Sequence, residues 1–512
     1  AEESYAEGAD DGESPAARGE LLYQRALEVD DGAALDGPAV EEALSLLLEA
    51  ASLGHAAARS RAAQMVAAGY GEGGEPRAPG ALELFLLAST SGDVPALLAM
   101  GYLHLFGLGG VPRSCEAALF YYRRAASVAY ESYIAPGGQR RVEDVLLSPA
   151  LTSGSSGRED HMGAEGDRNQ YLINSAALGD SGAALTLARR HYWGNHGLAR
   201  DHAAAVEYYE QAHRAGRVEG TVALSQMHLK GEGVEKNLTT ALRHYQDAAG
   251  RGSIEALNGL GYLHFHGDPV AENKTAALEY FMRSAALGSG DGLVNSGLML
   301  RAGLGAPRDT AQAYSFFRQG ADIGHLPSVY HAGVHDAGGE GTPRDCPLAV
   351  RRFRSVAAVG SWAEPLQWAL KKHLAGDAAS ALREYDQMAE LGYTAAAYNA
   401  AWLRDQSRLR ALSPGLTPAQ AARARQGAER RFSRLLELGA YDGKDLVVGW
   451  AHLRLGDCRY YGTLHGCAEV NRSEALKHYR SAGDLGSTQG ILSLGHMHLA
   501  GEAGEAGGRP GK

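Results

Sequence analysis

Apolar side chains recur along this chain with the spacing of helices, and the spacing itself repeats. In the copies that begin at Ala118 and Ala241, the opening alanine is followed by an aromatic residue at offset 4 and by alanines at offsets 7 and 8. These offsets, counted from the opening residue, fall on one face of an α-helix. Ten copies carry the aromatic residue: Phe85, Tyr122, Tyr209, Tyr245, Phe281, Phe317, Phe353, Tyr385, Phe432 and Tyr479. Each copy is therefore predicted to contain an amphipathic helix.

The copies are evenly spaced in the middle of the chain. Five of them begin 36 residues apart, and the whole set begins at or near Ala43, Ala81, Ala118, Arg168, Ala205, Ala241, Ala277, Ala313, Ala349, Ala381, Ala428 and Ala475. Offset 11 is glycine in eleven copies: Gly54, Gly92, Gly179, Gly216, Gly252, Gly288, Gly324, Gly360, Gly392, Gly439 and Gly486. Since glycine adopts the left-handed conformation of a helix C-cap at no steric cost, the first helix is expected to end there.

A second helix is predicted after the glycine. A small residue at offset 15, such as Ala96 or Ala256, opens another helical stripe. Each copy is thus a helix, a tight glycine turn, a second helix and a loop. One such pair cannot bury its apolar face alone, so neighbouring pairs must stack. The sequence predicts an all-α superhelical solenoid of repeats of about 36 residues with a long concave surface.

Two long steps divide the array. The step from the third to the fourth copy contains a segment rich in Pro, Gly and Ser, residues 135–167, which we expect to be a disordered loop inserted into the array. A second step contains residues 405–427, where we expect a linker or bend with a fresh helix near Thr417. The prediction is a main array over residues 43–404 and C-terminal repeats over residues 428–500.

Charge is concentrated at the start of the chain. Residues 1–42 hold 13 acidic and 2 basic side chains, so the remainder holds 47 of each and is neutral. A neutral body argues against nucleic-acid binding, which needs a basic face. The acidic stretch is predicted to be a partly disordered, solvated leader, with a docking segment as the alternative. Residues 501–512 are expected to be a flexible tail, and no apolar run is long enough to span a membrane.

Two recurring motifs resemble ligand-binding or metal-binding sites but are better explained as structural positions of the repeat. Gly-x-Gly occurs at offset 26 in four copies, for example at Gly231 and Gly303, without the following Lys-Ser/Thr of a phosphate-binding loop. Histidines occupy offset 23: His104, His228, His264 and His498. Periodic placement favours an inter-repeat turn for the glycines and a packing role for the histidines over metal binding. We find no catalytic motif and expect neither an enzyme nor a cofactor.

The cysteines fall into two groups. Cys115 and Cys346 each lie three residues before the opening alanine of a copy, which suggests one repeat position that tolerates a thiol. Cys458 and Cys467 bracket a loop that could close as a disulfide in an oxidising compartment. The spacing alone does not decide between a disulfide and two thiols at this second pair.

Three Asn-x-Ser/Thr sequons begin at Asn237, Asn273 and Asn471. Each lies four residues before the opening alanine of a copy, on a loop where N-glycosylation is physically possible. The alternative is that the asparagine caps the helix that follows. The two roles are compatible.

The repeat pattern resembles a known family. The repeat is similar to the Sel-one-like repeat, a longer relative of the tetratricopeptide repeat. The similarity lies in the pattern Ala-Leu-x-x-Tyr/Phe-x-x-Ala-Ala-x-x-Gly followed by Leu-Gly-x-x-His/Tyr-x-x-Gly-x-Gly. This resemblance implies protein binding. Narrower stretches resemble the lumenal adaptors of the HRD ubiquitin-ligase complex. These are residues 344–350, 360–364, 376–377, 399–406 and 456–462.

The second resemblance implies a specific role. Such adaptors are non-catalytic, lie in the lumen of the endoplasmic reticulum, and connect misfolded glycoproteins and a lectin to a membrane-embedded ubiquitin ligase. They typically have a signal peptide and a membrane anchor, neither of which appears in these 512 residues. An oxidising lumen would fit a Cys458–Cys467 disulfide and three glycans. The alternative is a generic bacterial or cytosolic repeat scaffold with reduced cysteines and unmodified asparagines.

Overall fold

The structure is a computed structural model that describes residues 14–30, 38–70, 79–135, 145–147, 161–404, 432–441, 443, 445–462 and 470–501. Within these ranges the regular structure is helical throughout and contains no strand. The prediction of an all-α repeat solenoid is confirmed.

The chain divides into two compact units. Unit 1 consists of Ala1–Ser148 together with Phe353–Lys512, and unit 2 consists of Pro149–Arg352. The first helices of unit 1 are α1 (Pro15–Asp30), α2 (Pro38–Ser52), α3 (Ala56–Ala68), α4 (Pro79–Thr90), α5 (Val94–Phe106) and α6 (Cys115–Ile134). Unit 2 contains α7 (His161–Ala177), α8 (Ser181–Trp193), α9 (His202–Arg214), α10 (Val218–Lys230), α11 (Leu238–Gly250), α12 (Ile254–His266), α13 (Lys274–Ala286), α14 (Gly290–Ala302), α15 (Thr310–Asp322) and α16 (Leu326–Gly338).

Helix α17 (Cys346–Ala357) contains the boundary between the units. The remaining described elements of unit 1 are a short 3₁₀ turn (Ser361–Ala363), α18 (Glu364–Leu374), α19 (Ala378–Glu390), α20 (Thr394–Leu403), α21 (432–441), α22 (Asp445–Tyr461), α23 (Arg472–Asp484) and α24 (Thr488–Leu499).

The first helix of each copy begins before the opening alanine because a polar residue caps it. Helices α9, α11, α13 and α15 each span 13 residues and start 36 residues apart, at residues 202, 238, 274 and 310. The residue before each start accepts a backbone N–H with its side-chain oxygen; these caps are Asp201, Asn237, Asn273 and Asp309. The caps satisfy N–H groups that have no partner inside the helix.

The predicted glycine turns are present at nine of the eleven positions. Gly54, Gly92, Gly179, Gly216, Gly252, Gly288, Gly324, Gly392 and Gly486 all have φ between 77° and 96°. The prediction is wrong at two positions. Gly360 is extended, with φ of 163°, and leads directly into the 3₁₀ turn. Gly439 lies inside α21, and the left-handed conformation falls instead on Gly443, with φ of 65°.

Part of the acidic leader, residues 1–42, is a packed helix. Helix α1 packs along α2, and its Ala26 and Asp30 are buried. The acidic composition of residues 1–42 as a whole did not reveal the short amphipathic segment that forms α1. Residues 1–13 and 31–37 lie outside the described residues.

The other predicted boundaries are partly covered by the structure. Helix α7 begins at His161, six residues before the predicted end of the 135–167 loop, and residues 145–147 of that segment are described with Leu147 buried. Residues 405–427 and 502–512 lie outside the described residues, so the linker and the tail stay predictions.

Candidate protein-binding site

Aromatic rings join each repeat to the one before it. In four described repeats the ring at offset 4 packs onto a glycine in the second helix of the preceding repeat, an arrangement that we call a ring socket. A Cβ atom added to the glycine would collide with the ring in four described pairs: Gly101–Tyr122 (2.8 Å), Gly261–Phe281 (2.6 Å), Gly297–Phe317 (2.5 Å) and Gly456–Tyr479 (2.6 Å). All four glycines are buried. The socket explains why this position must be small, since protein interiors are close-packed.

The histidines at offset 23 stack on an aromatic ring of the next repeat. The ring centroids lie 5.7 Å apart for His104–Tyr121, 5.7 Å for His191–Tyr208, 5.4 Å for His264–Tyr280 and 6.1 Å for His228–His244. The predicted packing role is confirmed for His104, His228 and His264. The fourth predicted histidine, His498, is exposed on α24. Among the described residues, no group of three or more His, Cys, Asp or Glu side chains is arranged to hold a metal ion.

The Gly-x-Gly motifs form the turns between repeats, as predicted. Gly231 and Gly233 have φ of 78° and 72°, and Gly303 and Gly305 have φ of 72° and 79°. A side chain on Gly233 would collide with the backbone carbonyl of His202, and one on Gly305 with that of Lys274. Glycine is needed here both for the left-handed backbone and for the close approach of the two chains.

A buried ionic cluster joins the first helices of unit 1 to α19. Arg383 donates from Nε to Asp30 Oδ1 at 3.0 Å, and only 1% of its side chain is exposed. Arg61 forms a two-bond pair with Glu384, at 2.7 and 3.0 Å, and lies 3.3 Å from Asp30. Burial alone would raise the pKa of Glu384, but the Arg61 guanidinium outweighs it and holds that pKa below its usual value.

A second polar group strengthens the same contact between α3 and α19. The hydroxyl of Tyr70 donates to Asp386 at 2.7 Å, and Arg404 pairs with the same carboxylate. The Arg354 guanidinium donates to the carbonyl oxygen of Gly392 at 2.6 Å. No sequence pattern predicts these pairs, because residues such as Tyr70 and Asp386 are 316 positions apart in the chain.

Asn399 binds the backbone of a distant segment with both atoms of its amide. The N–H of Leu147 donates to Asn399 Oδ1 at 2.8 Å, and Asn399 Nδ2 donates to the carbonyl oxygen of Val145 at 2.8 Å. The side chain of Leu147 is fully buried. A cavity of about 200 Å³ lies beside the Asn399 amide, and the residues that line it include Leu366 and Tyr385. The amide of Asn399 thus fixes residues 145–147 of the same chain against α20.

A cavity in unit 2 lies between α8, α10 and α12. It has a volume of about 650 Å³, and its lining combines aromatic and charged residues: Arg189, Tyr192, Trp193, Glu219, Arg251 and Glu255. Trp193 is half exposed. The hydroxyl of Tyr192 donates to Glu232 at 2.7 Å, which holds the ring in place. Exposed aromatic residues flanked by both charge signs suit a polypeptide partner better than a small apolar ligand.

All three sequons occupy helix N-caps. Oδ1 of Asn237 accepts the N–H of Thr240 at 2.9 Å, Oδ1 of Asn273 accepts that of Ala276 at 2.9 Å, and Oδ1 of Asn471 accepts that of Glu474 at 3.1 Å. The three side chains are exposed. The capping interpretation is confirmed. Since the cap uses the oxygen and a glycan would attach to the amide nitrogen, glycosylation at these positions stays a compatible prediction.

The cysteines differ from the prediction. Cys115, Cys346 and Cys458 are each disulfide-bonded. Interpreting Cys115 and Cys346 as one repeat position that tolerates a thiol is therefore wrong, because disulfide partners are set by distance in space and not by repeat register. Cys467 lies outside the described residues, so the Cys458–Cys467 pairing stays a prediction.

Comparison with known proteins agrees with this geometry. The Sel1 repeat family model matches residues 37–55, 94–128, 181–216, 218–253, 254–289, 291–325 and 451–487. The chain is thus a helical repeat scaffold of the kind that mediates protein–protein interaction. More particularly, it is a Sel1-repeat protein that resembles the HRD3 proteins over part of its length.

Two relatives indicate that resemblance. The chain is 33% identical over 144 residues to the ERAD-associated E3 ubiquitin-protein ligase component HRD3A of Arabidopsis thaliana, covering 28% of this chain and 20% of the relative. It is 30% identical over 143 residues to protein sel-1 homolog 2 of Homo sapiens, again covering 28% of this chain and 20% of the relative. The chain therefore aligns with about a fifth of each of these two relatives.

Two bacterial repeat proteins are among the solved structures that match this chain. A protective antigen of uropathogenic Escherichia coli strains with an SLR fold is 18% identical, with a TM-score of 0.31 and coverage of 89% of this chain and 90% of its own. A Sel1 repeat protein from Oxalobacter formigenes is 18% identical, with a TM-score of 0.33 and coverage of 55% and 90%. In the described part of this chain, no helix is both long and apolar enough to cross a membrane.

Proposed function

We propose that this chain is a non-catalytic adaptor of endoplasmic-reticulum-associated degradation. It acts in the lumen as part of a membrane-anchored protein and links misfolded glycoproteins and a lectin to a membrane-embedded ubiquitin ligase. The observation that carries the proposal is the 33% identity over 144 residues to a plant protein named as a component of an ERAD ubiquitin ligase.

The cysteines support the lumenal placement. Cys115, Cys346 and Cys458 are all in disulfides, which persist in oxidising compartments and are rare in the cytosol. The exposed sequons at Asn237, Asn273 and Asn471 support it too, because only a chain that enters the secretory pathway receives N-glycans.

The arrangement of polar and aromatic groups supports an adaptor that binds polypeptides. The half-exposed Trp193 lies at the edge of a cavity wide enough for a peptide segment.

The lumenal placement is tested by intact mass. The chain is expressed behind a signal sequence in eukaryotic cells, and its mass is measured without reduction, before and after enzymatic removal of N-glycans. We expect glycans on Asn237, Asn273 and Asn471 and a mass that lacks two hydrogen atoms for each disulfide. Four free thiols together with unmodified asparagines would favour a cytosolic scaffold instead.

The adaptor role is tested by co-precipitation. The chain, carrying an affinity tag and retained in the lumen, is recovered from mild-detergent extracts and probed for an HRD-type ubiquitin ligase. We expect the ligase to co-purify with the wild-type chain and not with a lumenal tetratricopeptide-repeat protein of similar size. Recovery of a folded, glycosylated chain without the ligase would refute the proposal.

A further inference from the structure

The cavity between α8, α10 and α12 lies inside the repeat array of unit 2. Its lining comes from the second helices of three consecutive repeats and from Tyr209 of α9. Helices α9 and α11, which connect these second helices in the chain, are described as well. Because repeats stack only on their neighbours, a further repeat at either end of the array would pack elsewhere. The volume of about 650 Å³ is that of an ordinary ligand pocket.

One charged side chain in the lining of this cavity has no partner. The other three charged side chains of the lining each have a described one, in the pairs Arg251–Asp247 at 3.4 Å, Arg217–Glu219 at 3.2 Å and Ser253–Glu255 at 2.9 Å. Arg189 is exposed near the end of α8 and forms no hydrogen bond or ion pair with any described residue. The Arg189 guanidinium is therefore available to an anionic group of a ligand.

The hydroxyl of Tyr209 is a second unpartnered group in the same cavity. The side chain is only 6% exposed, and its hydroxyl makes no hydrogen bond within the part of the chain that the structure describes. Burial raises the pKa of Tyr209, and the nearby Arg189 guanidinium partly opposes that rise, so the phenol is protonated at neutral pH and can donate. Tyr479, at the same offset of another repeat, donates to the carboxylate of Asp457 at 2.9 Å.

The rest of the lining is largely apolar. It includes Val218, Val222, Met227 and Ile254, and Trp193 beside them is 48% exposed. Exposed tryptophan is enriched among the residues that contribute most to protein binding. An apolar side chain of a partner would therefore be buried here, close to the two groups that can bind an anion.

We infer that this cavity binds a segment of a partner polypeptide in which an aspartate or glutamate lies next to a large apolar residue. The carboxylate of that segment pairs with Arg189 and accepts the hydroxyl of Tyr209. Glu219 and Glu255 in the lining repel polyanions, so a single carboxylate suits the cavity better than several phosphates. The inference rests on the proposed function in one respect, that the chain binds polypeptides, and not on its place in degradation.

The probe for this site is the fluorescently labelled peptide Ser-Gly-Phe-Glu-Gly-Ser, blocked at both ends and titrated with the whole chain. Two matched peptides carry glutamine in place of the glutamate or alanine in place of the phenylalanine. Fluorescence anisotropy is expected to show saturable binding of the first peptide. Each matched peptide is expected to bind about tenfold more weakly, because one lacks the carboxylate and the other lacks the apolar side chain. Equal binding of the three peptides, or no binding of the first, would overturn the inference.

The protein variants are Arg189→Gln and Tyr209→Phe, with Arg243→Gln as the control. Arg189 is exposed, and phenylalanine already stands at the offset of Tyr209 in other repeats, as Phe281 does, so both variants are expected to keep the unfolding midpoint of the wild type. In Arg189→Gln the difference between the glutamate and glutamine peptides is expected to disappear, since the two changes remove the same interaction. Tyr209→Phe is expected to weaken binding of the glutamate peptide.

Arg243 is exposed on α11 and does not line the cavity, so its glutamine variant is expected to bind like the wild type. A glutamate-to-glutamine difference as large in Arg189→Gln as in the wild type would overturn the pairing. Displacement of the peptide by an equal concentration of free N-acetylglutamate amide would assign the cavity to a small carboxylate and overturn the assignment to a polypeptide.

This outcome is separable from that of the proposed function. A chain that recovers the ubiquitin ligase from cells but does not distinguish the three peptides would refute this inference alone. A chain that distinguishes the peptides but fails to recover the ligase would support this inference and refute the role in degradation.

Discussion

Single buried residues carry much of the specificity of unit 1. Arg383 and Arg61 are arginines with little solvent contact, and each is neutralised by carboxylates from a different helix. Breaking a buried pair leaves one charge without compensation, which costs far more than the pair contributes when it is intact. The cluster therefore fixes which helices meet in unit 1.

Glu384→Gln is predicted to destabilise the contact between α3 and α19 by about 3–5 kcal/mol, because it leaves the Arg61 charge poorly compensated. Native-state hydrogen exchange of the two helices measures the local free energy of opening. The control is Glu49→Gln, whose partner Arg18 is 61% exposed, and which should cost about 0–1 kcal/mol. Equal effects of the two variants would show that the cluster has no special role.

His331 is predicted to make unit 2 less stable in acid. Its ring lies 5.2 Å from the ring of Phe317, and burial lowers its pKa to about 4. The unfolded chain binds the proton near pH 6.5, so the stability contributed by neutral His331 is complete above that pH and is lost as the pH falls towards 4. The full loss is about 3 kcal/mol.

The measurement for His331 is the thermal unfolding midpoint between pH 7 and pH 4. His331→Gln keeps a polar side chain that does not titrate, and its midpoint should fall less steeply with acid than that of the wild type. Parallel slopes for the two proteins would mean that other groups, such as the half-buried His244, account for the whole acid sensitivity.

At the scale of elements, the sequence predicts the repeat well because its period encodes the contacts of each helix. The alanine, aromatic and small residues of α11 and α13 identify the buried face, and the glycines at offset 11 locate most turns. The helix starts were misplaced by three residues, because the cap and not the first apolar residue sets the start. Gly439 failed as a turn because α21 continues past it.

The double role of the sequon asparagines is separable by mutation. Asn273→Asp is predicted to keep the cap of α13 and lose the glycan, since aspartate caps as well as asparagine but carries no amide nitrogen. Asn273→Ala is predicted to lose both and to destabilise α13 by about 1 kcal/mol. Intact mass reports the glycan and thermal unfolding reports the cap. Loss of stability in the aspartate variant equal to that in the alanine variant would contradict this division.

At the scale of the whole molecule, the repeat period could not predict contacts between distant parts of the chain. It specifies that each repeat stacks on its neighbours, and nothing in it relates α3 to α19 or Asn399 to residues 145–147. The disulfides at Cys115 and Cys346 were not predicted either. Such contacts depend on how accumulated rotation between repeats brings separated helices together.

Asn399→Ala is predicted to release the segment that contains Leu147. The variant loses both backbone hydrogen bonds, so the Leu147 amide should exchange with solvent at least tenfold faster than in the wild type. Asn295→Ala, which removes a side-chain bond to Asn258 in unit 2, is the control and should leave that amide unchanged. Unaltered exchange in the Asn399 variant would show that burial of Leu147 alone holds the segment.

The central claim is that this repeat scaffold serves lumenal protein degradation. Its most direct test is the half-life of a misfolded lumenal glycoprotein in cells that lack their own HRD3-type adaptor. The chain is supplied there with a signal sequence and the membrane anchor of the missing adaptor. The account predicts that the glycoprotein's half-life returns to that of normal cells. An unchanged half-life, in cells where the chain is folded and glycosylated and the anchor is inserted, would contradict it.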